Sequence, residues 1–338
     1  MIRSFSLPLA RPLETAGGSI SERRGFLCFR DGGVGEATPL GRWTETYAEC
    51  ERALRAADDA EDWAAALAAC EDAPAARHAV SLAKLDAESK RAGESLAAHR
   101  TDDPAASVPV NATIGDAPRE ETVEAARRAG REGFETVKVK VGARPISEDV
   151  ERVLGVADAT DLAVRADANG AWTREQAQDA CYALGDVVEY VEQPLPAHDL
   201  AGNADLRADG AAIALDESLT EYGVSEVLEA ADYVVLKPMA LGGVDVARDA
   251  AGAAREADVT PVVTTTIDGV VARTAAVHLA ASIPDVPACG LATADLLAAH
   301  LASDPAPVSD GRVNVPDSPG LGVEIDPDAD LPGGDGDA

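Results

Sequence analysis

At 338 residues the chain is long enough for one large domain or two, each with a full apolar core. Its charge is lopsided: 29 basic against 60 acidic residues give a net −31, which excludes a nucleic-acid partner or an anionic membrane surface, since either would be repelled. The excess is spread along the whole chain beside abundant alanine, a composition that resembles proteins of a salt-adapted cytoplasm and describes the solvent rather than a reaction.

Cys28, Cys50, Cys70, Cys181 and Cys289 are odd in number, far apart and without a CxxC pair. Neither a zinc site nor a disulfide framework is expected, and reduced thiols in a cytoplasmic protein are. Met1 to Leu13 carries Arg3 and Arg11 but lacks the apolar run of a secretory leader. No stretch approaches the roughly 18 apolar residues of a membrane span, so no membrane insertion is expected. Nothing in the sequence fixes an oligomeric state.

In chain order, Ile2–Leu9, Gly25–Arg30 and Val34–Ala37 read as strands. Glu14–Glu22 between the first two is a Gly/Ser-containing loop, either a hairpin connection or a candidate lid. Residues 44–72 and 74–100 are Ala-rich with apolar positions at helical spacing, such as Ala53, Leu54 and Ala57, and predict two or three helices. Residues 1–103 are thus expected to form an α+β capping domain, with Thr101–Pro104 as linker.

From Val108 strands and helices alternate. Strand-like runs occur at Val108–Thr113, Thr136–Val141, Leu162–Ala168, Val187–Gln193, Ala212–Asp216, Tyr233–Lys237, Pro261–Thr265 and Ala288–Leu291. Ala-rich helical stretches separate most of them. Eight such runs over residues 104–310 predict a β/α barrel of the TIM type. A doubly wound open sheet is the alternative, but no GxGxxG follows the first strand. Arg312–Val315 and Gly320–Ile325 are expected to carry the segment 311–338 back to the capping domain, and Asp326–Ala338 to be a disordered acidic tail.

The chemistry gathers at strand ends. In Thr136-Val-Lys-Val-Lys140, valines and lysines alternate, so Val137 and Val139 share one face and Lys138 and Lys140 the other. An edge strand facing water would explain this, but strands of a β/α fold are buried on both sides, where two ammonium groups need a use. Arg165, Asp167 and Asn169 share a face by parity, Glu192 stands before a proline that ends its strand, and Asp216 ends the next. One β/α unit separates each acid from the next, so the three converge. Singly each reads as a surface or helix-capping acid. Together they read as an all-oxygen site of the kind Mg²⁺ takes. Lys237, one strand further, is either a surface lysine or a partner across the mouth from Lys138 and Lys140. Lysines on both sides of a divalent cation suit proton abstraction beside a carboxylate, the base having its pKa lowered by neighbouring cations and burial.

Lys-x-Lys, Asp-x-Asn, Glu-Gln-Pro, Asp-Glu-Ser and Lys-Pro-x-x-x-Gly-Gly, in this order and spacing, resemble the enolase superfamily, muconate-lactonising subgroup. The resemblance covers nearly the whole chain, including Gly35-Glu-Ala-Thr-Pro-Leu40 in the capping domain. It implies a modified (β/α)7β barrel with an N-terminal cap, and Asp167, Glu192 and Asp216 as ligands of Mg²⁺, or of Mn²⁺ in its place. Within the subgroup, Lys138-Val-Lys140, Trp43-Thr-Glu-Thr, Thr264-Thr-Thr-Ile-Asp-Gly269 and Gly290-Leu-Ala-Thr-Ala-Asp295 look most like the o-succinylbenzoate synthase family of menaquinone biosynthesis. That family's reaction is a syn dehydration of a cyclohexadiene carboxylate.

By the same resemblance, Lys140 is the base and then the general acid, Lys237 the cation over the ring's other face, and Lys138 the residue that orients Lys140 and keeps its pKa low. Thr264, Thr265, Thr266 and Gly269 are implied to hold the succinyl side chain, with Arg165 and Asn169 as further contacts to a small-molecule carboxylate. An N-acylamino-acid racemase or a muconate cycloisomerase of the superfamily stays open. A dipeptide epimerase is disfavoured, because Leu291-Ala-Thr-Ala replaces that branch's Asp-x-Asp. A class I aldolase would not need three convergent carboxylates. The five histidines fit no catalytic spacing and read as structural or solvated.

Overall fold

A computed structural model describes residues 1–15, 18–208 and 210–334. The chain opens with an antiparallel sheet of β1 (Ile2–Thr15), β2 (Gly18–Arg30) and β3 (Gly33–Ala37). Asp31 at φ 54° and Gly32 at φ 84° form a two-residue hairpin turn whose positive φ values match the twist of β2 and β3. The sequence Asp-Gly is the signal for it. The Glu14–Glu22 segment is part of the β1–β2 hairpin and not a free loop, since Leu13 pairs with Ile20 and Thr15 with Gly18. The reason is local: Ser19-Ile20-Ser21 keeps the two-residue alternation, and pairing satisfies backbone groups that a loop would leave to water. Ala16 and Gly17, at its tip, lie outside the described residues.

Four helices complete the cap: α1 (Tyr47–Asp58), α2 (Trp63–Ala68), α3 (Pro74–Ala92) and α4 (Leu96–Arg100). Thr46 and Glu49 close a capping box on α1, and the Glu45 carboxylate accepts from Ala75 N at 3.0 Å and Ala76 N at 2.9 Å to cap α3. Helix α3 lies directly on β3, where only glycine fits. A Cβ at Gly33 would come within 1.9 Å of Ala83 O, and one at Gly35 within 1.9 Å of Ala79 O.

The barrel follows. After β4 (Ser107–Pro109) come β5 (Ala112–Ile114), α5 (Arg119–Arg131), β6 (Thr136–Lys140), α6 (Ile146–Ala159), β7 (Ala163–Asp167) and α7 (Arg174–Leu184). Then come β8 (Tyr190–Glu192), α8 (Leu200–Leu206), β9 (Ile213–Leu215), α9 (Val224–Glu229) and β10 (Tyr233–Leu236). The short α10 (Pro238–Leu241), α11 (Val244–Glu256), β11 (Thr260–Val263) and α12 (Val270–Ala281) finish the alternation. Strands β5 to β11 pair in parallel, each with its sequence neighbour. The expected eighth strand at Ala288–Leu291 is reduced to single bridges, and these close the ring. Gly290 N donates to Val263 O at 2.9 Å, while Cys289 N donates to Pro109 O at 2.8 Å and its carbonyl accepts from Asn111 N at 3.0 Å. Val137, Val139, Val164, Ala166, Val191 and Ile213 face the helices in one apolar core, which leaves the intervening residues of each strand to the barrel interior.

Strand β13 (Arg312–Asn314) does not join the cap sheet. It pairs with β4 and with β12 (Val308–Ser309), beside the start of the barrel. The chain reaches the cap from Gly320 onward. Leu96 N donates to Gly320 O at 2.8 Å, and Leu321 N donates to the buried Asp86 at 2.8 Å. The acidic segment 326–334, expected to be disordered, is held on β1 by Arg3 through Pro327 O at 2.5 Å and by Ser6 N through Pro332 O at 2.7 Å. Composition failed there because the contacts use backbone carbonyls, which Asp, Pro and Gly supply as well as any residue. Residues 335–338 lie outside the described residues.

Helix α12 is buried along its whole length between cap and barrel. His278 on it accepts from Ala97 N at 3.2 Å through Nδ1, so its Nε2 donates to Leu321 O at 3.1 Å, and burial pushes its pKa down to about 4. Between pH 6.5 and 4 the unfolded chain binds this proton and the folded chain does not, so stability falls as pH falls through that window. The expected loss is about 3 kcal/mol, complete below about pH 4. Urea titrations across pH 7 to 4 should show this component in the wild type and lack it in His278→Gln.

Candidate active site at the barrel mouth

The site is built from the inward positions of β6 to β10. Register places Lys140, Asp167 and Glu192 level on adjacent strands. Lys138 Nζ donates to both Glu192 oxygens at 3.0 and 3.1 Å and stands 2.9 Å from Asp167 Oδ2. Lys140 Nζ reaches the same Asp167 oxygen at 2.6 Å and Asn169 Oδ1 at 2.8 Å. Asn169, at φ 46°, folds back so that its backbone N–H donates to Asp167 Oδ1 at 3.0 Å, while its Nδ2 donates to Glu217 Oε1 at 2.8 Å. The alternation of Thr136–Lys140 thus puts two lysines against two carboxylates inside the barrel.

The next two strand ends repeat the pairing. Lys237 Nζ is hydrogen-bonded to Asp216 Oδ2, and the Trp43 ring from the capping domain lies over that ammonium, its centroid 3.4 Å away. Gln193 shapes the turn between them. Its Oε1 accepts from Asp216 N at 3.1 Å and Ser218 N at 3.0 Å, and its Nε2 donates to Leu195 O and Ser218 Oγ, each at 2.9 Å. In the sequence, Gln193, Glu217 and Trp43 stand only as letters of motifs. The signal for Gln193 was its place before Pro194 at a strand end, where a buried amide can tie down a turn's backbone.

Electrostatics follow from burial. Burial opposes the charge on Lys138, but Asp167 and Glu192 together outweigh it and hold the ammonium well above the usual lysine range. Lys138 thus stands as the charged partner of the two carboxylates that face it. Burial also opposes the charge on Asp167, and Lys138 and Lys140 overcome it, so this carboxyl lies below the ordinary range. Glu192 is raised by burial and by Asp167. Burial pushes Asp216 up to about 8 in spite of Lys237.

Among the described residues, no three acidic side chains stand around one point closely enough to hold an ion as they are placed. Lys138 lies between Glu192 and Asp167, and Lys237 against Asp216. The donor set nevertheless fits a hard divalent cation. Its donors are carboxylate oxygens at consecutive strand ends, and Asp216 Oδ1 is buried without a hydrogen-bond partner, as is Glu217 Oε2 nearby.

The remaining candidates separate. Thr264 Oγ1 donates to Gly290 O at 2.9 Å, and Thr265 Oγ1 lies 3.3 Å from Thr293 Oγ1. The Thr266 hydroxyl is bound to Asp268 at 2.5 Å. Gly269 is not open to a ligand, because its N–H donates to the buried Glu36 carboxylate of the cap at 2.6 Å. Arg165 is also misplaced as a ligand contact. It sits one layer below Asp167, level with Lys138 in the strand register, fully buried and bound to Glu189 Oε2 at 2.6 Å and Ala288 O at 2.6 Å. Parity assigns a face but not a depth.

Replacing Gln193 with leucine would leave the N–H groups of Asp216 and Ser218 buried and unpaired. The expected destabilisation is about 2–4 kcal/mol. It should be read as a lowered urea midpoint with an unchanged m-value.

Residues 121–329 match the family described as enolase C-terminal domain-like. The chain is 41% identical over 237 residues to an o-succinylbenzoate synthase of Thermobifida fusca (strain YX), covering 66% of this chain and 72% of that one. It is 33% identical over 233 residues to muconate cycloisomerase 1 of Rhodococcus opacus, covering 66% of this chain and 62% of the relative, less than two thirds of the latter's length. Among solved structures it superposes at a TM-score of 0.83 on a dipeptide epimerase from Methylococcus capsulatus complexed with Mg and the dipeptide L-Arg-D-Lys, at 28% identity over 96% of this chain and 98% of the other. With the barrel, its cap and the lysine–carboxylate row at the strand ends, these matches show that the chain belongs to the enolase superfamily, in its muconate-lactonising subgroup.

Proposed function

We propose that the protein is an o-succinylbenzoate synthase, dehydrating 2-succinyl-6-hydroxy-2,4-cyclohexadiene-1-carboxylate to o-succinylbenzoate in menaquinone biosynthesis. The observation that carries this reading is the placement of Lys140 on Asp167 and Lys237 on Asp216, at the two ends of one row of carboxylates. The 41% identity to the Thermobifida fusca synthase supports the choice of reaction.

Asp167, Glu192 and Asp216 would hold Mg²⁺, which when bound offsets negative charge developing on the substrate carboxylate. Among the three lysines the Lys140 side chain is the most open, at 35% exposed against 16% for Lys138 and 12% for Lys237. Lys140 therefore removes the proton alpha to the carboxylate and returns it to the departing hydroxyl on the same face, which makes the elimination syn. Asp167 and Asn169 hold its Nζ in place. Lys138, paired with two carboxylates, stands between Glu192 and Asp167 and holds them apart. Lys237 presents a fixed positive charge to the opposite face of the ring.

A second reading has a specific observation behind it. Two lysines at opposite ends of the carboxylate row would also serve a proton exchange between faces, as in an N-acylamino-acid racemase. The same frame would serve a muconate cycloisomerase or a dipeptide epimerase, although Leu291-Ala-Thr-Ala offers no acidic grip for an ammonium group.

The test is a direct assay at high salt with Mg²⁺ and the cyclohexadiene substrate. The expected result is Mg²⁺-dependent formation of o-succinylbenzoate, reduced about 10²–10⁴-fold in Lys140→Ala. Wash-in of deuterium at the alpha carbon of an N-acylamino acid, without dehydration, would overturn the synthase reading in favour of the racemase.

A further inference from the structure

Arg23 on β2 is 2% exposed and spends its guanidinium on three backbone carbonyls from two domains. Nε donates to Ile267 O at 3.1 Å, Nη1 to Pro39 O at 3.2 Å and Nη2 to Thr38 O at 2.7 Å. Thr38 and Pro39 begin the segment that carries Trp43 over Lys237. Ile267 belongs to the connection between β11, the strand next to the one that leads to Lys237, and α12, with Thr264 and Thr265 just before it. Its φ of 62° is a left-handed conformation that a β-branched residue adopts only under constraint.

Glu36 on β3 supplies a second hold on the same connection. Its buried carboxylate accepts from Gly269 N at 2.6 Å and Ala272 N at 3.0 Å, at the N-terminus of α12, and from the Thr38 hydroxyl at 2.5 Å. His78 Nδ1 lies 2.7 Å from Glu36 O and completes the bracket. None of these groups touches the lysine–carboxylate row. All of them fix what stands above it.

We propose that Arg23, with Glu36, is a positioning device that locks the Trp43 segment and the strained Ile267 connection to each other and so holds the Trp43 ring in place over Lys237. The role in turnover rests on the synthase reading; the lock itself does not. A lysine at position 23 keeps the charge but cannot serve three carbonyls in one plane. The Ile267 connection would then relax from its left-handed conformation, and the Trp43 segment would lose its fixed place over Lys237.

The experiment compares wild type, Arg23→Lys, Glu36→Gln and Arg23→Lys/Ile267→Gly, because glycine adopts the positive φ without a Cβ penalty. Amide hydrogen exchange is followed in peptides covering 38–46 and 264–272, and KM and kcat in the dehydration assay. Arg23→Lys should speed exchange in both peptides and raise KM about tenfold, with kcat changed less than about threefold. Adding Ile267→Gly should return KM most of the way to wild type. If Arg23→Lys does not fold, Glu36→Gln must show the faster exchange in 264–272 together with the KM rise.

Unchanged exchange in both peptides, or a raised KM that Ile267→Gly leaves untouched, would overturn the proposal. If the wild type turns over no substrate, the synthase reading fails while the exchange comparison still decides the lock.

Discussion

Everything at the mouth depends on the need to neutralise buried carboxylates. Asp167, Glu192 and Asp216 are sealed from solvent at three neighbouring strand ends, where unpaired charge is costly. Three lysines answer them, two from a single strand. The match is incomplete by geometry more than by number. Asp167 is over-served by Lys138 and Lys140, whereas Asp216 keeps one oxygen without any partner and Glu217 another. The row is thus electrostatically lopsided toward the β9 side, where Trp43 and Lys237 stand. A cation entering there would meet oxygen atoms that nothing else satisfies.

The cap is fastened to the barrel by the same physics used at helix ends. Glu36 closes the N-terminus of α12, and Glu45 closes that of α3 within the cap. Asp86 takes the backbone N–H groups of Val34 and Leu321 and so ties the returning C-terminal segment to the sheet. Each is an acid whose oxygens are used on backbone donors, and Glu36 and Asp86 are fully buried. In a chain with 60 acidic residues this matters. Most of the acidic excess belongs to the surface, but a few carboxylates are structural pins that no surface argument would reveal.

Which features could be read from the sequence follows from this division. Strand alternation was legible because valines and lysines cannot exchange faces in a barrel wall, and the one-unit recurrence of acids at strand ends was legible because parallel strands bring such positions together. Depth was not legible: Arg165 has the same parity as Asp167, yet lies a layer below and holds the barrel floor. Nor was the use of Gly269, whose amide looked free only because its partner, Glu36, is 233 residues away. The returning segment 326–334 was misjudged from its composition, since its contacts pass through carbonyls of Pro327 and Pro332 that carry no sequence signal. Gln193 and Arg23 share this character. Each acts on backbone groups, and backbone groups leave no pattern in a sequence.

The net charge bears on the site in one further way. A dicarboxylate of the kind proposed above approaches a chain of net −31, and the repulsion extends over the Debye length, about 10 Å at 0.1 M salt and about 3 Å at 1 M. Within the mouth itself, the ammonium groups of Lys138, Lys140 and Lys237 are spent on the three carboxylates beneath them. Held in those contacts, they leave an incoming anion few free donors. On the proposed reading, a divalent cation held by the carboxylate row would add positive charge at the mouth of an otherwise anionic surface. Salt removes the long-range barrier and the cation supplies the short-range pull, so an acidic exterior and an anionic substrate are compatible in one protein.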